Sequence, residues 1–366
     1  MAAGTLAVFL NLGPQRAQAQ SRLPEALSLT EANKEVLVSD AAGRPLRFDN
    51  APRTFLALGS DAAAIADLLA AFAAGRERLI GMEKAPGSSF PLLARLVPGF
   101  AQKAFLAPGW SVSKVAALKP GVVLARGRKL DAAFKALADA GIPVVLLGLD
   151  SPERYERDLG IVGSLLAAGE RADELIQYYR GLYGRIAIGT AGLAAENKPR
   201  VLLARAVLDR GSAVLKLAPV GSMPHGIVKA SGGTPWEDAA AKDGSFRTIS
   251  FSDLAAWDPA LITLSVPIGA DPAAVLAAFR AGPRAGTLKA FKTGRIFTLP
   301  SDLDTWDSAD PRWILGLNWL AARVHPGRFS EYAMDADLDA FFDHLYGLDK
   351  AAVGALIRPA LRQSVK

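Results

Sequence analysis

An α/β protein of two lobes, each a mostly parallel sheet flanked by helices, with one long helix joining them, is the fold class the sequence predicts. Three observations carry it. Short unbroken apolar runs alternate with amphipathic stretches: FLALG, RLIGM, VVLAR and PVVLLG in the first half, RVLLARA, LITLS and RIFTLP in the second. Continuous apolar strands separated by helices mark sheets covered on both faces, the habit of parallel pairing. Between the two sets, Glu170 to Ile188 (ERADELIQYYRGLYGRIAI) places Leu175, Tyr178, Tyr179, Leu182 and Ile186 three or four apart with no strand; as a helix it spans roughly 28 Å. Finally, SVSKVAALKPGVVLAR at 111–126 and SFSDLAAWDPALITLS at 250–265 repeat one order of parts: serine, amphipathic turn, helix-ending Pro, buried strand.

The elements follow in order. Residues 1–19 end in Ala17-Gln18-Ala19 behind a short apolar run, the pattern of an export signal cleaved after Ala19. Residues 20–50 form an extension and a hairpin, with Val36 and Val38 alternating on one side of Ala42-Gly43 and Leu46 and Phe48 on the other. The first lobe, 51–155, repeats strand then helix. FLALG precedes Ser60-Asp61 and the helically spaced Ile65, Leu68, Leu69 and Phe72; RLIGM precedes Pro91 to Leu96; VVLAR precedes Leu130, Phe134 and Leu137; PVVLLG precedes a helix opening at Ser151-Pro152-Glu153. The connecting helix occupies 156–197 and the second lobe 198–330, with helices around Ala273 to Ala281 and Pro311 to Val324. A tail, 331–366, carries one more helix from Asp335 to Tyr346.

Composition excludes several functions. The 366 residues are 51% hydrophobic and 21% charged, with no cysteine. That removes disulfides, thiolate metal sites, cysteine nucleophiles and a lipidated cysteine anchor. Histidines 225, 325 and 344 are scattered, which argues against a dedicated zinc cluster. The net charge of +6 is spread along the chain and not massed in a block, so a small anionic ligand is expected and nucleic acid is not. The patterns GxGxxG, GxxxxGK[ST] and GxSxG are missing, and the acids of DLDTWD are expected to be solvated, so catalysis is not expected. No stretch after the start reaches the roughly 18 apolar residues of a membrane span. The expectation is an exported, soluble, monomeric binder without a covalent cofactor.

Several segments resemble the periplasmic substrate-binding proteins with a helical backbone, the receptors of importers for ferric siderophores, haem, cobalamin and, in one branch, molybdate or tungstate. The resemblance runs over roughly residues 35 to 330: VSDAAGRPLRFDNAPRTFLALG, the paired AALKP and AAWDP segments, LLAAGERADELIQYY, and GRIFTLPSDLDTWDSADPRWILGLNWLA. It implies two lobes with little hinge motion, a ligand held in the cleft between them, and an ABC importer permease as partner. In the family each lobe places a Glu on the helix before the ALKPD-like turn, to meet arginines of the permease. Here Ser113 and Ser252 stand at those positions, Gly121 and Ala260 replace the Asp after each Pro, Asp253 lies beside one serine, and Lys114 beside the other. Either a specialised permease or a transporter-independent carrier or sensor follows.

Parallel sheets bind ligands at the carboxyl ends of their strands, which selects the candidate site. Arg126, Arg128 and Lys129 follow VVLAR directly, and Arg205 and Arg210 follow RVLLA in the second lobe. Guanidiniums from both lobes suit carboxylate-, catecholate- or phosphate-like groups; the alternative is pairing with Asp131 and Asp150, or with a carboxylate near Arg205. Trp110 and Trp306 are candidates to stack on a flat ligand, whereas Trp257, Trp313 and Trp319 fall at core-type positions. His225, with Met223, is a candidate contact to a metal chelate or a hydrogen-bonded loop residue, and Lys84 is a further candidate cation. The expected ligand is a ferric siderophore-type chelate, then haem or a polycarboxylate such as pyrroloquinoline quinone, with molybdate or tungstate as the alternative.

Overall fold

A computed structural model describes residues 35–237, 245–282 and 285–364; the expected signal, 1–19, lies outside them. Strands β1 (Val36–Ser39) and β2 (Pro45–Phe48) pair antiparallel, with Val36 opposite Phe48 and Val38 opposite Leu46. Asp40, 2% exposed, closes the turn by accepting the N–H groups of Ala42 and Arg44, and it also accepts the N–H of Leu146, which ties the hairpin to the first lobe.

The first lobe holds β3 (Phe55–Leu58), helices α1 (Ala62–Ala70) and α2 (Ala73–Arg78), β4 (Leu79–Glu83), α3 (Pro91–Leu96), β5 (Ala104–Leu106), α4 (Val112–Ala117), β6 (Val122–Arg126), α5 (Ala132–Asp139) and β7 (Val144–Leu147). The sheet is fully parallel in the order β5-β4-β3-β6-β7. Central β3 is buried on both faces, as its unbroken apolar run requires.

Helices α6 (Pro152–Leu166) and α7 (Gly169–Thr190) follow. The expected end of the first lobe, residue 155, falls inside α6: Ser151 caps the helix start by accepting the N–H of Arg154, and its end comes only where Ala167 turns left-handed at φ +53°. The link is therefore two packed helices, with α7 the long one.

The second lobe comprises β8 (Val201–Asp209), β9 (Ser212–Leu217), α8 (Met223–Ala230), β10 (Arg247–Ile249), α9 (Phe251–Trp257), β11 (Leu261–Ser265), α10 (Pro272–Arg280), α11 (Lys289–Lys292), β12 (Ile296–Thr298) and α12 (Trp313–Val324); the tail adds α13 (Met334–Tyr346) and α14 (Lys350–Leu356). Its sheet runs β10-β9-β8-β11-β12, with β8, β11 and β12 parallel and β9 antiparallel to both neighbours. The half-repeat is real. Helices α4 and α9 both begin at a serine cap, Ser111 and Ser250, and both lead into a strand beside the lobe's central one.

One apolar core joins the lobes. Phe55 and Leu69 of the first, Leu159 and Leu175 of the linking helices, and Trp313, Leu320 and Phe341 of the second lobe and tail belong to a single buried cluster. Burial on this scale across the junction opposes hinge motion. Among the described residues, no helix is long and apolar enough to cross a membrane.

Candidate functional site

The carboxyl ends of the two sheets border one cavity of about 210 Å³, with Asp61 and Arg126 on one side and Arg205, Ser265, Thr305 and Asp307 on the other. Arg126 is the last residue of β6, in register with Leu147 of β7. Its Nη1 donates to Asp61 Oδ1 at 2.9 Å and its Nε to the Gly148 carbonyl at 3.3 Å, leaving the side chain 32% exposed. Asp61 follows Gly59, whose left-handed φ of +93° turns the chain sharply between β3 and α1. Across the cavity, Arg205 sits in β8 opposite Ser265 of β11, its guanidinium 5.7 Å from the centre of the Phe246 ring. Asp307 is buried and accepts the Ser265 hydroxyl at 2.8 Å. Burial raises its pKa, while the Ser265 and Thr305 hydrogen bonds and the Arg205 charge pull it back. Met223 and Pro224, at the start of α8, complete the wall.

Arg126 and Arg205 thus border one cavity from opposite lobes. The expected cationic cleft is not what surrounds them: each arginine arrives with a carboxylate on the same wall. The other candidates lie elsewhere. Arg128 donates through Nε and Nη2 to Asp150 Oδ2 at 2.9 and 2.6 Å, and Asp150 also holds Arg154, so the pairing alternative describes Arg128. Lys129 is exposed beyond it and does not border the cavity. Arg210 stands in the β8–β9 turn at φ +48°, at the exposed tip of the hairpin.

Neither tryptophan offers a stacking face to the cavity. Trp110 leans on Phe134 and donates to Glu83 Oε2 at 2.7 Å; the same carboxylate oxygen accepts the N–H of Gly59, so Trp110 braces the loop that carries Asp61. Trp306 is fully buried and donates to Asp302 Oδ2 at 3.1 Å. His225 lies on α8, not in a loop, and turns into a small void beside Trp236, 3.8 Å from Glu237; burial lowers its pKa. Lys84 rests over the rings of Phe105 and Phe90, 4.8 and 5.9 Å from their centres. Apolar packing thus claims Trp306, Lys84 and most of Trp110.

A second arrangement corrects the expectation that DLDTWD is solvated. Asp302 and Asp307 are buried and Asp304 is half-buried. They belong to a strap, residues 301–310, folded against Arg312, a guanidinium only 1% exposed. Arg312 Nη1 donates to Asp67 Oδ2 of α1 at 2.9 Å and to Asp310 Oδ2 at 2.6 Å, and its Nε lies 2.8 Å from Asp302 Oδ1. Burial raises the pKa of Asp67 against the opposing pull of Arg312, with the Asp310 charge adding to the rise. Burial, and then the Asp310 charge, push Asp304 up to about 7. The inner side of the strap meets this cluster, while Thr305, Asp307, Ser308 and Ala309 on its outer side border the cavity. Arg312 therefore fixes one wall of the cleft and ties it to the other lobe through Asp67. The signal for it was present: four aspartates precede an arginine that opens a largely apolar helix, and a buried arginine needs such partners.

Residues 109–303 match the family described as periplasmic binding protein, which covers more than half of the chain and includes Arg126, Arg205 and both copies of the half-repeat. The chain belongs to that family. Among similar proteins of known function is the molybdate-binding protein MolA of Haemophilus influenzae, 21% identical over 258 residues, which are 64% of this chain and 70% of MolA. The fold of this periplasmic binding protein is also that of a periplasmic solute-binding protein from Veillonella parvula (21% identity, 89% of this chain, 97% of that one, TM-score 0.65). CeuE of Helicobacter pylori, solved in a Ni-His complex, shares it as well (18% identity, 88% and 99% covered, TM-score 0.68).

Proposed function

We propose that the protein is the solute receptor of an importer, exported to the periplasm, and that it holds a compact anionic solute in the cleft between Arg126 and Arg205. The observation that carries this reading is the meeting of two guanidiniums from opposite lobes in one cavity at the carboxyl ends of both sheets. Forked donors from two sides suit carboxylate groups, free or on the rim of a ferric chelate. Support for a flat haem-like ligand falls away with Trp110 and Trp306, because neither borders the cavity. A polycarboxylate, pyrroloquinoline quinone included, or a carboxylate-rimmed chelate remains.

A molybdate or tungstate oxyanion is the second reading. It is favoured by the small volume and by the similarity to MolA. The test is native mass spectrometry with calorimetric titration against ferric citrate, pyrroloquinoline quinone, haem, molybdate and tungstate. Arg126→Ala and Arg205→Ala are each expected to weaken the bound anion by about 30-fold or more, the loss of a charge-assisted partner at about 2 kcal/mol or above. Unchanged affinity in both variants removes the cleft from the proposal.

A further inference from the structure

The cavity's charges are balanced, and the balance narrows the solute class within the cleft reading, on which this inference rests. Arg126 and Arg205 reach in from opposite walls, and so do Asp61 and Asp307. Asp61 lies 2.9 Å from Arg126 with 30% of its side chain exposed; Asp307 shares its wall with Arg205 and takes the Ser265 hydroxyl on Oδ1. A polyanion placed between the guanidiniums is also pressed toward two carboxylates. In a cleft that loses water on binding, those like-charge contacts discriminate against it. A molecule with a protonated amine on the same skeleton as its acid groups meets all four side chains favourably.

The geometry points to a compact dipolar solute, an amino acid or amino-polycarboxylate, with its acid groups between Arg126 and Arg205 and its ammonium toward Asp307 and Asp61. Asp307 is the principal contact. Its raised pKa reports a carboxylate whose burial is only partly offset by Ser265, Thr305 and Arg205, so an incoming cation supplies what the wall lacks. Asp61 contributes less, since Arg126 already neutralises it.

Matched pairs that differ by one ammonium test this directly: succinate with aspartate, glutarate with glutamate, adipate with 2-aminoadipate. Calorimetric titration at pH 7 is expected to show the amino member of at least one pair binding about tenfold or more tighter than its partner. Asp307→Asn is expected to bring that ratio to about twofold or less. Asp61→Asn, on the more exposed wall, is the second variant and is expected to reduce the same ratio about threefold. Equal affinity within every pair, binding by no member of any pair, or an unchanged ratio in both variants overturns the inference. The double variant Arg126→Ala with Arg205→Ala separates the two levels. Diacids that bind it as they bind the wild type overturn the cleft reading itself. Diacids that need both arginines, with the ratio untouched in Asp307→Asn and Asp61→Asn, overturn the dipolar class alone.

Discussion

Arg312→Met is the substitution the buried charge cluster makes most informative. The guanidinium is 1% exposed, and the side chains of Asp302 and Asp310 around it are 0% and 1% exposed, with Asp67 at 13%. Methionine fills much of the volume, so the loss is of charge and not of packing. Removing one partner of a buried pair leaves uncompensated charge, at about 3 to 5 kcal/mol. Protonation relieves part of this, because burial already holds the pKa values of Asp67 and Asp302 above the usual carboxylate range. The loss is therefore expected near the upper end of that span at pH 8 and near the lower end at pH 5. With an m-value of about 3 kcal/mol/M, the urea midpoint falls by about 1 to 1.7 M. Circular dichroism and tryptophan fluorescence are the probes, the latter because Trp306 and Trp313 flank the cluster. Adding Asp302→Asn and Asp310→Asn to Arg312→Met is expected to recover a large part of the loss. A midpoint within about 0.3 M of wild type, or a loss independent of pH, refutes the reasoning.

Three further outcomes follow from neighbouring geometry. Asp304 carries a pKa raised from 3.8 to about 7, so the folded state holds a proton that the unfolded chain releases; stability from this group is present below about 4 and lost as pH rises to about 7. Asp304→Asn does not titrate, and its melting temperature relative to wild type is expected to be higher at pH 8 than at pH 5, whereas a constant difference contradicts the sign. Gly316 of α12 faces the strap so closely that an added Cβ lies 2.0 Å from the Trp306 carbonyl oxygen; Gly316→Ala is expected to cost about 1 to 3 kcal/mol in urea unfolding and to weaken the bound solute with it, since the strap must shift. Ser113 and Ser252 occupy matching exposed positions on α4 and α9, each hydroxyl within 3.0 Å of its cap serine, and Asp253 is turned back onto the Ser250 cap. Ser113→Glu with Ser252→Glu is therefore expected to strengthen docking to a family permease in nanodiscs; wild-type binding of equal strength shows that the serines do not limit it.

Periodicity made the architecture legible, and the same property hid much of the site. The strands read from FLALG, RLIGM, VVLAR and RVLLARA are buried along most of their length, so their sequences are mostly apolar, and α7 announces itself through 22 residues of helical spacing. Strands β5 and β10, three residues each, are too short to show a period, and β9 has the mixed burial of a strand that leaves part of itself exposed. Arg126 is the last residue of its strand, a position that can be read in sequence, whereas Arg205 lies in the middle of β8, which runs on to Asp209. Their partners were not legible: Asp61 comes from a different strand–helix turn 65 residues away, and Asp307 from a strap whose course depends on Arg312. A run of acids reads as solvated when no single neighbour explains it, yet here one guanidinium gathers Asp302 and Asp310 from the strap and Asp67 from the other lobe. A charge in a sequence carries its sign but not its counter-charge. The cleft looked cationic on paper because its arginines are contiguous with their strands, and it is balanced in space because their carboxylates come from elsewhere in the chain.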